Sequence, residues 1–134
     1  MSESNDAPKS FKIVHGVSVF LLFLMMAQPT FDNVNAVLTG TMVAGEISIE
    51  VSLGQMALHL IATVVGWLGF WWFLKRQKRG AYTSIAAHLL GFTAVMTQTP
   101  EMLDIMPPAA IAVFFVIMFI VALGPVLKFK DQYS

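Results

Sequence analysis

The chain has 134 residues, 57% of them hydrophobic and 12% charged, with a formal net charge of zero. Soluble domains carry about 25% charged residues, and a core this small cannot hide so much apolar surface from water. The zero balance argues against a nucleic-acid partner, and the lack of cysteine excludes disulfides, thiol catalysis and thiolate-held metals.

The sequence predicts a single all-α transmembrane domain over 1–134, a four-helix membrane protein. Residues 1–10 (MSESNDAPKS) are polar and read as a disordered tail. The first span runs over 11–28 and is expected to end at Pro29, because a spanning helix needs about 20 mostly apolar residues and proline breaks helices. Its apolar run 13–27 has the look of a signal-peptide core. Cleavage after Ala27, however, would set Met25 where a small residue is wanted.

The first loop, 29–50, follows. Phe31, Val34, Leu38 and Met42 recur at helical spacing, which predicts an amphipathic segment along the outer surface. Ile47, Ile49, Val51 and Leu53 alternate with polar residues as a strand would. A lone strand has nothing to pair with, so the preferred reading is an N-terminal extension of the second helix, with Glu46 and Glu50 near its positive end. The second span covers 51–74 and the third, the most polar, covers 80–98. The fourth, 108–127, opens on Pro107 and Pro108, and Gly124 and Pro125 are expected to kink or fray its last turn.

Charge sorting sets the orientation. Lys9, Lys12, Lys75, Arg76, Lys78, Arg79, Lys128 and Lys130 fall on one side. Asp32, Glu46, Glu50, Glu101 and Asp104 fall on the other. The positive-inside rule then puts both termini in the cytoplasm of a multi-pass protein of the cell (inner) membrane. The Lys75–Arg79 turn, preceded by Trp67, Trp71 and Trp72, reads as a cytoplasmic anchor in contact with anionic lipid.

His59 and His88 are the candidate cofactor ligands. Counted from the expected helix ends, both lie roughly 12–15 Å below the outer surface on neighbouring helices. Gln55, His59, Ala62, Gly66 and Gly69 form one stripe, and Ser84, Ala87, His88, Gly91 and Ala94 form another; both are small-residue seams of the kind along which membrane helices pack. Three readings follow: polar glue across a helix pair, a b-type haem between two imidazoles, or a titrating group on a substrate or proton path. His15 reads as an interfacial histidine at the cytoplasmic end.

Glu46, Glu50, Glu101 and Asp104 are a candidate hard-cation set, against the plainer reading of solvated acidic loops. Met102 and Met106, with Met96, Met42 and Met56, raise a Cu(I) reading, against that of apolar gap fillers. No nucleophile triad, phosphate loop or dinucleotide motif occurs. The expected function is that of an accessory or anchor subunit of a larger membrane complex, without catalysis of its own and redox-linked if the histidines hold haem. Its partners are the bilayer and other membrane subunits, or further copies of itself. The alternative is a small oligomeric transporter or channel, its path lined by polar residues of the second and third helices.

Overall fold

The computed structural model describes residues 7–44, 46–98 and 102–134. Four long helices dominate: α1 (Lys9–Thr39), α2 (Leu53–Leu74), α3 (Lys78–Gln98) and α5 (Pro108–Lys128). A two-stranded hairpin, β1 (Thr41–Ala44) with β2 (Ile47–Glu50), follows α1; a short turn of helix, α4 (Met102–Ile105), precedes α5; and a 3-10 turn spans Lys130–Gln132. Around the assembly α1 packs on α2, α2 on α3, α3 on α5 and α5 back on α1. Most of the expected tail, residues 1–6, lies outside the described residues; Lys9 and Ser10 are already helical.

Two boundaries differ from the sequence reading. Helix α1 does not stop at Pro29 but runs through it to Thr39, where Gly40 closes it in the left-handed region (φ 72°) and donates its N–H to Ala36 O. The helical spacing of Phe31, Val34 and Leu38 is real, but it belongs to the first helix, whose opposite face buries Asn33 and Ala36. The stretch around Ile47 is a strand, not an extension of α2. Its partner is Thr41–Ala44, paired antiparallel with Met42 opposite Ile49 and Ala44 opposite Ile47. Helix α2 begins afterwards, at a capping box: Ser52 Oγ accepts from Gln55 N–H and Gln55 Oε1 accepts from Ser52 N–H.

Among the described residues three helices, α1, α2 and α5, are long and apolar enough to cross a membrane. Helix α3 is of similar length but more polar. It forms the tightest pair with α2, through glycines. A methyl group on Gly69 would lie 2.7 Å from Ser84 N, one on Gly66 would meet the Met26 thioether and lie 3.5 Å from Ala87 Cβ, and one on Gly80 would run into the Phe73 backbone. The hydrophobic core gathers at the basic end, where Phe11, Leu22, Phe73, Ala81, Met118 and Ala122 are fully buried. Outward faces of the long helices stay apolar, with Phe20, Ile61, Val64, Val113 and Ile120 each more than half exposed. An apolar belt of that kind matches lipid rather than water.

Candidate functional site: a cavity at the acidic end

The two ends of the assembly are built differently. At the basic end the chain after α5 folds back onto the α2–α3 turn. Ser134 N–H donates to Arg76 O (2.9 Å), and Lys78 N–H donates to Ser134 O (2.8 Å). This brings the Tyr133 ring, 4% exposed, against His15, and the two side chains hydrogen-bond at 2.7 Å through the hydroxyl and Nδ1. The imidazole stacks between Phe11 (5.3 Å) and Phe73 (5.2 Å). His15 is thus caged, not the interfacial side chain expected from its place near the helix end. Burial pushes the Tyr133 phenol up to about 12, against a smaller opposing pull from the Arg76 charge.

At the acidic end the four long helices do not close. They surround a half-open cavity of about 500 Å³, lined also by Met42 of the hairpin and by Met106. Its polar lining is short: Asp32 and Asn33 from α1, His59 and Thr63 from α2, and His88 from α3. The rest is apolar, including Phe92, Phe114 and Phe115. The glycines and alanines of the seam made this legible in part, since both histidines lie on the faces expected of them and both reach the same space.

Their depths, however, do not match. The close approaches pair Ala62 with Gly91, Gly66 with Ala87 and Gly69 with Ser84. That register sets His59 level with Ala94, and His88 level with Val65. The offset is six residues, or about 9 Å at 1.5 Å per residue. A b-type haem clasped between α2 and α3 needs two imidazoles at one level and helices held apart. The offset and the closed glycine seam give that arrangement no support.

Polar bridges tie α1 to α2 in the turns that follow Pro29. Trp67 Nε1 donates to Thr30 Oγ1 (2.8 Å), which donates to Met26 O (2.6 Å). One turn further, Asn33 Nδ2 donates to Thr63 Oγ1 (2.7 Å), which donates to His59 O (2.8 Å). On the α3 side, His88 Nδ1 lies 2.7 Å from Ser84 O and Nε2 lies 3.4 Å from Met25 O. The sequence reading, which took Thr63 as polar glue between helices, missed its partner Asn33 and missed Thr30, both on α1. The available signal was a proline inside an unbroken run of inward positions, Leu22, Met26, Asn33 and Ala36.

The acidic candidates do not converge. Glu46 sits in the exposed hairpin turn and Glu50 at the end of β2. Four residues of extended chain separate them by about 13 Å, where a helix would have made them neighbours. Asp104 lies in α4, and Glu101 is outside the described residues. Among the described residues no group of three or more His, Asp or Glu side chains is placed to hold a metal ion. Of the methionines in the copper reading, Met42 and Met106 line the cavity and Met56 and Met96 do not.

Length, composition and architecture define a class, a helical chain with, among the described residues, three helices able to cross a bilayer and a half-open cavity at one end. Comparisons with protein-family models, with curated proteins and with solved structures found no match.

Proposed function

We propose that this is a four-span protein of the cell membrane, with both termini cytoplasmic, that serves as a non-catalytic subunit of a membrane complex and holds a lipophilic small molecule at its acidic, outer end. The cavity is the observation that carries this reading. Ligand sites are concave, mostly apolar and marked by a few convergent polar groups, and a space of about 500 Å³ lined by three phenylalanines, three methionines and five polar side chains has that character. The exposed apolar belt on α1, α2 and α5 supports lipid or partner helices around it.

Transport is the second reading, favoured by His59 and His88 reaching one cavity from α2 and α3. A path must also continue to the other side. Below the cavity, Leu22, Phe73 and Met118 fill the space, and the α2–α3 seam is closed. Binding without conduction therefore fits better.

Native mass spectrometry of the protein released from nanodiscs tests the proposal. The expected result is a retained small-molecule adduct, lost in Gly91→Phe, whose new side chain starts from an open cavity wall (only Ala62 Cβ, at 3.8 Å, lies near its first carbon). A bare protein, or an adduct indifferent to that substitution, removes the binding role. The orientation has its own test: a reporter at Gly40 is expected outside and one after Ser134 inside, and the reverse would sink the topology.

A further inference from the structure

The cavity at the acidic end is charged in one sense only. Asp32 is the one acidic side chain in its lining among the described residues, and no lysine or arginine joins it there. The nearest lysine along α1, Lys12, lies about 30 Å away at 1.5 Å per residue. Exposed charges feel one another over only about 8 Å at physiological salt. Gln28 Nε2 donates to both carboxylate oxygens of Asp32 (3.1 and 3.3 Å), which holds the group in place without neutralising it. Most donors of the lining are already used inside the protein. Asn33 Nδ2 donates to Thr63 Oγ1 and His59 O, the Thr63 hydroxyl donates to His59 O, and the His88 ring nitrogens lie against Ser84 O and Met25 O.

The aromatic part of the wall suits the same sign of charge. Phe92 of α3 and Phe114 and Phe115 of α5 all reach the cavity. Phe115 meets Phe92 at 5.3 Å and 80°, and Phe114 at 5.6 Å and 84°. Rings set nearly at right angles meet as adjoining walls, and the face of each ring carries the negative side of its quadrupole. A carboxylate and three phenyl rings around one space attract a positive charge. We infer that the ligand of this cavity is a lipophilic ammonium cation, whose charged head is shared by Asp32 and the rings of Phe92, Phe114 and Phe115. This rests on the binding role proposed above and names the ligand's chemistry. A fatty acid or alkyl sulfate meets the Asp32 charge with no lysine or arginine to offset its own. A zwitterionic lipid head brings a phosphate with the same difficulty. A neutral lipophile fits the apolar wall but leaves the carboxylate and the ring faces unused.

The test is displacement of radiolabelled octyltrimethylammonium from the protein in uncharged maltoside micelles, with concentrations referred to the micelle phase. The competitors are the unlabelled cation, its neutral isostere with carbon in place of nitrogen, and octyl sulfate. The cation is expected to compete about tenfold better than the isostere, the combined worth of a cation–π contact and a half-screened ion pair, with octyl sulfate the weakest. The preference should fall in Asp32→Asn, which removes the charge and keeps an acceptor for Gln28, and in Phe114→Leu, which removes a ring and keeps an apolar wall. Should Phe114→Leu disturb the fold, Asp32→Asn carries the test, because Asp32 is exposed. Equal competition by cation and isostere, with binding blocked by Gly91→Phe, overturns the charge assignment and leaves the binding role standing. A preference that survives both substitutions overturns it too, as does a short-chain phosphatidylcholine that competes as well as the cation. No binding of the label, while native mass spectrometry still shows an adduct lost in Gly91→Phe, also overturns the cation alone; absence of both signals removes the binding role with it.

Discussion

His15 and His88 are the same residue in two regions with opposite outcomes. At the basic end His15 is enclosed, with the Tyr133 hydroxyl on Nδ1 and a ring on each face. At the acidic end His88 lies between two carbonyl oxygens and beside an open cavity. Burial alone does not separate a structural histidine from a functional one. What separates them is whether packing closes around the ring or leaves it beside open space.

The contrast can be broken most severely at the basic end. Gly80→Ala drives a methyl group into the Phe73 backbone and is expected to cost about 3 kcal/mol or more, whereas Gly91→Ala, on the cavity wall, should be neutral or slightly stabilising. Thermal unfolding in detergent measures both, and equal losses would contradict the picture of one packed and one open end. Next, His15→Ala should lower stability by about 2–3 kcal/mol, since a hydrogen bond and two ring stacks go with it. His88→Ala should cost less than half of that. At the basic end the smallest effect belongs to Tyr133→Phe, at about 1 kcal/mol for the lost hydroxyl bond.

A pH series sharpens that last prediction. The Tyr133 phenol is raised from 10.0 to about 12 in the folded protein. The folded state thus holds this proton more tightly than the unfolded chain. Its contribution is complete below pH 10 and fades as pH rises from 10 through 12. The Phe variant should show no such loss in that window, and a parallel decline in both proteins would count against the clamp.

Much of the helical layout was legible because apolar spacing is local. The buried stripe on α2 is the predicted one from His59 to Gly69, continued by Phe73. The end of α1 was not legible, because Thr30, Trp67 and His88 supply polar partners around Pro29 and two of these come from other helices. The hairpin was missed for a different reason. Ile47–Glu50 looked unpaired until Thr41–Ala44, four residues without strong alternation, proved to be its partner across a two-residue link. At the site, helix faces were readable from periodicity, but depth was not. The α2–α3 register depends on how closely Gly69 and Gly80 let two backbones approach, and that is a property of the packed pair.

The length of α1 has one more consequence. Its 31 residues extend about 46 Å, against a hydrocarbon core of about 30 Å. Were the basic end set at one headgroup layer, the surplus of roughly ten residues would emerge beyond the other. The wall from Met26 to Asn33 then straddles the depth at which acyl chains give way to glycerol and phosphate. An amphiphile with a polar head and a greasy body would float at that depth in the leaflet nearer the cavity. It would reach the cavity by lateral diffusion between helices, and its concentration at the entrance would be set by partitioning into lipid rather than by its solubility in water.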